Sequence, residues 1–239
     1  MVAKKQKNST KTAAKKKAPA QRSPKKAVAK KAAVAKKGGA ITLRGAVGLP
    51  LAPAPLKDSA LIIIDAQVTY TEGPLKLDGI EKALKNCQAV LERARKAKIP
   101  IFHIQHDAGP GSAYDVKGRS GSICDEVKPK AGEAIIVKNY PNSFEKTDLE
   151  AKLKAKGAKN LILVGFMTHC CINSTARCAF NMGYNSVTVI GDCTATRDLP
   201  NPMAWAAGKV IPAAQQQAAA LAAVNDLHCN VVPSAASIA

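Results

Sequence analysis

Acidic residues are missing from the first fifty positions, where thirteen Lys, Arg22 and Arg44 stand without a single Asp or Glu. Large apolar side chains are almost as scarce there, so the stretch cannot bury enough surface to offset the entropy of ordering. Residues 1–50 are therefore expected to be a disordered basic tail and linker, with a folded domain over 51–239. Of the net charge of +19, +15 sits in this stretch, which leaves +4 for everything that follows. The high basicity is a property of the tail, and the near-balanced domain suits a small-molecule enzyme.

Long hydrophobic runs are also lacking. None approaches the roughly 20 residues of a membrane span, so no membrane partner is expected. No apolar core follows the basic start, which argues against a secretory signal, and the dominance of Lys over Arg argues against a mitochondrial transit peptide. No Gly-rich phosphate loop follows a strand and no motif repeats, so neither a nucleotide cofactor nor any other cofactor is expected. Lys doublets lie comfortably along a polyanion, where neutralised phosphates release counterions. A weak nucleic-acid contact through residues 1–40 thus competes with a solubilising or organelle-addressing role.

Seven cysteines are present, an odd number in a chain too large to need disulfide staples. Without a secretory signal they are expected as reduced thiols in an intracellular compartment, cytoplasmic or nuclear.

From residue 60 onward short β-branched runs alternate with segments of helical period. "ALIIIDA" (60–66), "IPIFHIQ" (99–105), "EAIIVK" (133–138), "NLILVG" (160–165), "SVTVIGD" (186–192) and "CNVV" (229–232) read as strands. They are mostly unalternating, as strands covered on both faces are. Between the first two, Ile80, Ala83, Leu84, Cys87, Val90, Leu91 and Ala94 recur at helical spacing, and Asp78 with Glu81 resembles a capping box. Further helices fit 146–156, 171–182 and 211–226. The expected fold is α/β, a three-layer α/β/α arrangement around a central, mostly parallel six-stranded sheet. Residues 41–57, with Pro50, Pro53 and Pro55, read as an extended linker. The irregular, Gly- and Ser-rich stretch 107–130 is long enough to suggest function.

In open parallel sheets the ligand crevice lies beyond the carboxyl ends of the strands. Three reactive residues fall there: Asp65 after the first strand, Lys138 at the end of the third, and the Cys170-Cys171 pair after the fourth, within "GFMTHCCINSTARCAF" (165–180). Each has a bland reading as a turn former, a solvated charge or an inert small hydrophobe. Together they supply a thiol at a helix start, an ammonium that favours its thiolate and a carboxylate that can take its proton.

The segments "LIIIDAQ", "IIVKNYPNSFEKTDLEAKLKAKGAKNLILVG", "MTHCCINSTARCAFNMGY" and "VIGDCTATRDLP" resemble the isochorismatase-like cysteine hydrolases, which include nicotinamidases and N-carbamoylsarcosine amidases. The resemblance, over about 58–232, implies a catalytic triad of Asp65, Lys138 and Cys171, the last four residues before Thr175, with Cys170 as a packing partner. It also implies a cis peptide between Phe166 and Met167 and an oxyanion hole from the backbone N–H groups of Met167 and Cys171. The expected activity is hydrolysis of a C–N bond in a small amide or carbamoyl compound, with ether cleavage and a catalytically idle binding module as rivals.

Gln67, Tyr70, His106, Tyr140, Phe144, Phe166, Thr168 and Trp205 are candidates to line the substrate pocket, each with a core reading beside it. Nicotinamidases of this family hold a metal through an Asp-x-His motif after the second strand. Here that place reads Ile104-Gln105-His106 without the Asp, so no metal is expected and His103 and His106 are read as strand-face and pocket residues. His169 adjoins the thiol pair in sequence, a poor geometry for its base. Relatives commonly self-associate, which implies a homo-oligomer.

Overall fold

A computed structural model describes residues 40–203 and 209–239. The expected disorder of residues 1–39, their nucleic-acid contact and the role of Trp205 fall outside the described residues.

Six strands form one sheet: β1 (Ala60–Ile64), β2 (Ile101–His106), β3 (Ala134–Lys138), β4 (Asn160–Phe166), β5 (Ser186–Ala195) and β8 (Asn230–Val232). Their order is β3-β2-β1-β4-β5-β8, and every pairing within it is parallel. The chain runs outward from β1 through β2 to β3, then returns to the other side of β1 as β4. The ends of β1 and β4 therefore flank the point where strand order reverses, the usual place for a ligand crevice.

All of β1 is buried, and its alternate residues serve opposite faces. Leu61 and Ile63 pack with the seven-residue stripe of α2 (Ile80–Lys96). Ala60, Ile62 and Ile64 pack with Leu149 and Leu153 of α3 (Leu149–Ala155), Ala176 and Ala179 of α4 (Asn173–Asn181), and Val224 of α5 (Ala213–Asn225). Each buried Leu or Ile contributes about 1.5–3 kcal/mol, so the two-sided cover is what makes these strands unalternating.

Three local features differ from the sequence reading. Asp78 does not cap α2: Gly79 occupies the N-cap at φ 67° and makes no side-chain bond, while Glu81 pairs with Lys76. Residues 41–57 are not a free extended linker, because a short helix α1 (Leu43–Ala46) docks on the domain. Arg44 is buried, its amide donates to Asp226 O at 2.7 Å, and its Nε reaches Cys229 O. A small antiparallel pair, β6 (Leu199–Pro200) with β7 (Val210–Ile211), also lies outside the expected strands.

Candidate active site

β1 ends in a turn that the sequence imposes on a carboxylate. Asp65 takes φ 48°, a left-handed conformation that Asp tolerates better than most side chains. Beside it, Gly165 of β4 is paired with Ile64 at φ 112°, and a Cβ there would stand 2.0 Å from Ile64 O. Only glycine allows β4 so close to β1 just before the chain turns into the thiol segment. The following Phe166–Met167 peptide is cis. A single wide π turn, Thr168–Ile172, closed by Ile172 N donating to Met167 O at 3.2 Å, then leads into α4 and carries both cysteines.

Lys138 closes β3, two strands away from β1, and its long side chain crosses the end of β2 to reach the mouth. Its Nζ stands 2.7 Å from Asp65 Oδ2, 3.4 Å from Cys171 Sγ and 3.0 Å from His106 Nδ1. Asp65, Lys138 and Cys171 are all buried, at 0%, 1% and 5% exposure. Chain-distant residues thus meet around one ammonium.

Their electrostatics follow from that burial. Loss of water first, then the neighbouring Cys171, pushes the Asp65 carboxyl well above the carboxylate range, with Lys138 opposing. Oδ2 of Asp65 meets the Lys138 ammonium only as an ion pair and Oδ1 has no partner, so neither oxygen accepts a well-aligned hydrogen bond among the described residues and one is left to carry a proton. Burial works against the charge of Lys138, but Asp65 and Cys171 outweigh it and hold the ammonium. The neighbouring Cys171 thiol lowers Cys170 to about 7, with burial opposing. Cys170 in turn, then burial, raises Cys171. Lys138, 3.4 Å from Cys171 Sγ, works against that rise and favours the thiolate there.

The remaining candidates divide clearly. Tyr70 is buried beside the trio, its hydroxyl 3.3 Å from that of Tyr114, and burial, Asp65 and Cys171 keep it neutral. His106 adjoins Lys138. Gln67 is fully buried and committed to structure: its amide accepts from His106 N, donates to His106 O, and donates to Gly121 O at 2.7 Å. Thr168 donates to Ala195 O, and Phe166 meets Tyr70 edge-on inside the core. The Phe144 ring packs on Tyr184, while Tyr140 is exposed and accepts from Lys146 Nζ.

His169 bonds Thr196 Oγ1 at 2.6 Å through Nδ1. His103 is buried against Glu133, 2.9 Å away. Tyr114, absent from the sequence candidates, leans over the site from the 107–130 loop, 5.0 Å from the His106 ring and 5.9 Å from Tyr70. That loop is ordered: Gly121 O takes bonds from Gln67 and Gln105, and Val68 N donates to Ser122 O.

The sequence pattern of the isochorismatase domain matches residues 59–234, the whole sheet and every residue just described. The chain belongs to the isochorismatase family. Within that family it is 37% identical, over 81% of its own length and 97% of the relative's, to the secreted isochorismatase effector Isc1 of Verticillium dahliae. It is 26% identical to a ureidoacrylate amidohydrolase of Agrobacterium fabrum, over 58% of this chain and 78% of that one. Among solved structures, an isochorismatase from Pseudomonas putida aligns at TM-score 0.79 and 37% identity, covering 84% of this chain and all of the other. The isochorismatase family consists of hydrolases, amidohydrolases among them, so the enzyme class follows from membership.

Proposed function

We propose that this chain hydrolyses the C–N bond of a small amide or carbamoyl compound through a thioester on Cys171. The observation that carries the proposal is the Lys138 ammonium, ion-paired with Asp65 Oδ2 at 2.7 Å and 3.4 Å from Cys171 Sγ in a buried mouth. A thiol, a proton carrier and a fixed cation are what acyl transfer to sulfur requires.

In the first half-reaction Asp65 holds the thiol proton while Cys171 Sγ bonds to the carbonyl carbon. The resulting oxyanion is held by the backbone N–H groups of Met167 and Cys171, each such donor being worth about 2.7–4 kcal/mol. Asp65 passes its proton to the nitrogen, the C–N bond breaks, and ammonia or an amine leaves. In the second half a water loses its proton to Asp65 and bonds to the thioester carbon. The C–S bond breaks and the carboxylic or carbamic acid departs, restoring the starting proton count. Lys138 keeps the carboxylate and sulfur in register throughout. Tyr70, His106 and the loop-borne Tyr114 surround the acyl group in this reading.

Ether cleavage is the competing activity, and the name of the 37% identical Verticillium dahliae relative favours it. The retained trio favours the amide, because a nucleophilic sulfur has a carbonyl carbon to attack there. Ammonia release across a panel of small amides and carbamoyl compounds, run beside a vinyl-ether substrate such as isochorismate, separates the two. Ammonia that disappears in Cys171→Ala supports the proposal. Ether cleavage with no ammonia from any amide overturns it, and neither reaction would leave the binding-module reading.

A further inference from the structure

An ammonium has three hydrogens and no lone pair, so a buried lysine needs three acceptors. Lys138 is 1% exposed, and two of its acceptors, Asp65 Oδ2 and Cys171 Sγ, belong to the chemistry. The third is His106 Nδ1, 3.0 Å from Nζ. Because the ammonium can only donate, Nδ1 must be the unprotonated nitrogen, which puts the ring proton on Nε2.

We infer that His106 is a positioning residue, whose Nδ1 takes the third hydrogen of Lys138 and thereby aims the other two at Asp65 and Cys171. The strand register sets this contact up. His106 and Lys138 are register partners at the ends of β2 and β3, so their side chains rise on one face. The lysine, crossing from the edge strand to β1, has to pass the imidazole.

The backbone of His106 is clamped from both sides by the Gln67 amide, at 2.9 and 3.0 Å, and its ring meets Tyr114 edge-on. An acceptor so fixed fixes the rotation of the ammonium about its last bond. The charges around the ring agree: burial, then Lys138 from β3, holds His106 down at about 4, against a smaller pull from Asp107 at the end of β2. Tyr114 faces the ring from the loop and stays neutral, pushed up chiefly by burial.

The inference rests on Cys171 as the nucleophile, and its test is made independent of any substrate. The rate of Cys171 alkylation by iodoacetamide is followed against pH, with fragment sequencing to separate Cys171 from Cys170, in the full chain and in His106→Asn, His106→Gln and His106→Leu. The Asn side chain ends where Nδ1 stands, whereas Gln places its end where Nε2 stands. Asn is therefore expected to keep the native rate and pH midpoint. Gln and Leu are expected to label about tenfold or more slowly below neutrality, with the midpoint moved upward, as the loss of an oriented charge-assisted bond requires.

The Asn–Gln contrast separates positioning from a general loss of packing, since the two differ by one methylene and share the amide. Equal labelling in all four proteins, or Asn no better than Leu, overturns the inference. A restored Asn variant in a protein that releases no ammonia from any amide keeps the positioning role and removes the amide reading instead.

Discussion

Cys170 and Cys171 are adjacent in sequence yet unequal in surroundings, and the difference comes from a residue thirty-three positions away. Lys138 bonds Cys171 Sγ, while Cys170 is half-buried and packs against both apolar layers. Because Cys170 and burial raise Cys171 while Lys138 opposes them, Cys171 alkylation in the native chain is expected to rise only at pH above the Cys170 value of about 7. In Cys170→Ala that neighbour is gone and the Cys171 midpoint should move down, toward the ordinary thiol value of about 8.5. A midpoint that stays put would show that Cys170 takes no part.

His106 makes a second prediction about pH. Its folded value, about 4, lies below the ordinary 6.5, so between them the unfolded chain binds more protons than the folded one. The neutral imidazole thus contributes stability that is full above 6.5 and is lost as pH falls toward 4. Urea midpoints measured from pH 7 down to 4 should show this fall, and His106→Asn should flatten part of it. Strand ends alone gave Asp65, Lys138 and the Cys170-Cys171 pair as rim residues, because chemistry there is rare enough to notice, and the family resemblance chose Cys171 of the pair. Sequence reading gave Gln67 to the substrate, since nothing in "DAQ" tells that both ends of the amide are used by His106 and Gly121. Tyr114 went unnoticed, although it is the only aromatic residue of the 107–130 loop and could have been singled out on that ground.

At the scale of elements, the site depends on how closely β4 approaches β1. Gly165 stands where any Cβ would collide with Ile64 backbone, at a φ that L side chains rarely adopt. Gly165→Ala is expected to cost more than about 4 kcal/mol, among the largest effects of single substitutions, and to lower the melting temperature sharply. A variant melting with the native chain would mean that the strand ends are not held as described.

The central strands were legible because cover on both faces leaves an uninterrupted apolar run, whereas edge strand β3 reads the same with Ile135 and Val137 exposed; α2 was legible because its seven buried residues keep one helical stripe. Strand ends drifted by a few residues; β5, expected to stop at 192, runs to Ala195. The cap of α2 was misread for a physical reason. Asp78 is a good capping residue by type, but its own N–H is engaged by Thr196 O, and the left-handed Gly79 starts the helix after it.

For the whole molecule, the division of the chain is finer than charge suggests. The acid-free stretch runs through residue 57, yet Arg44 within it is buried against α5 and the turn before β8. Arg44→Ala is expected to destabilise the domain by about 1–3 kcal/mol through the carbonyl left unpaired, read as a lower urea midpoint. Composition hid this contact because Arg44 follows thirteen lysines of one sign and looks like one more of them.

For the tail before it, the expectation remains that from the sequence. The full chain should bind a DNA column more tightly than one beginning at residue 40, and only at low salt. Equal retention would leave residues 1–39 a solubilising or addressing role.

The account as a whole turns on one sulfur. Ammonia release measured over the amide and carbamoyl panel, for the native chain and for Cys171→Ala of unchanged melting temperature, tests it most directly. The account predicts release by the native chain and a fall of about ten-thousandfold or more in the variant, as loss of an enzyme's nucleophile produces. Undiminished release by Cys171→Ala would contradict it.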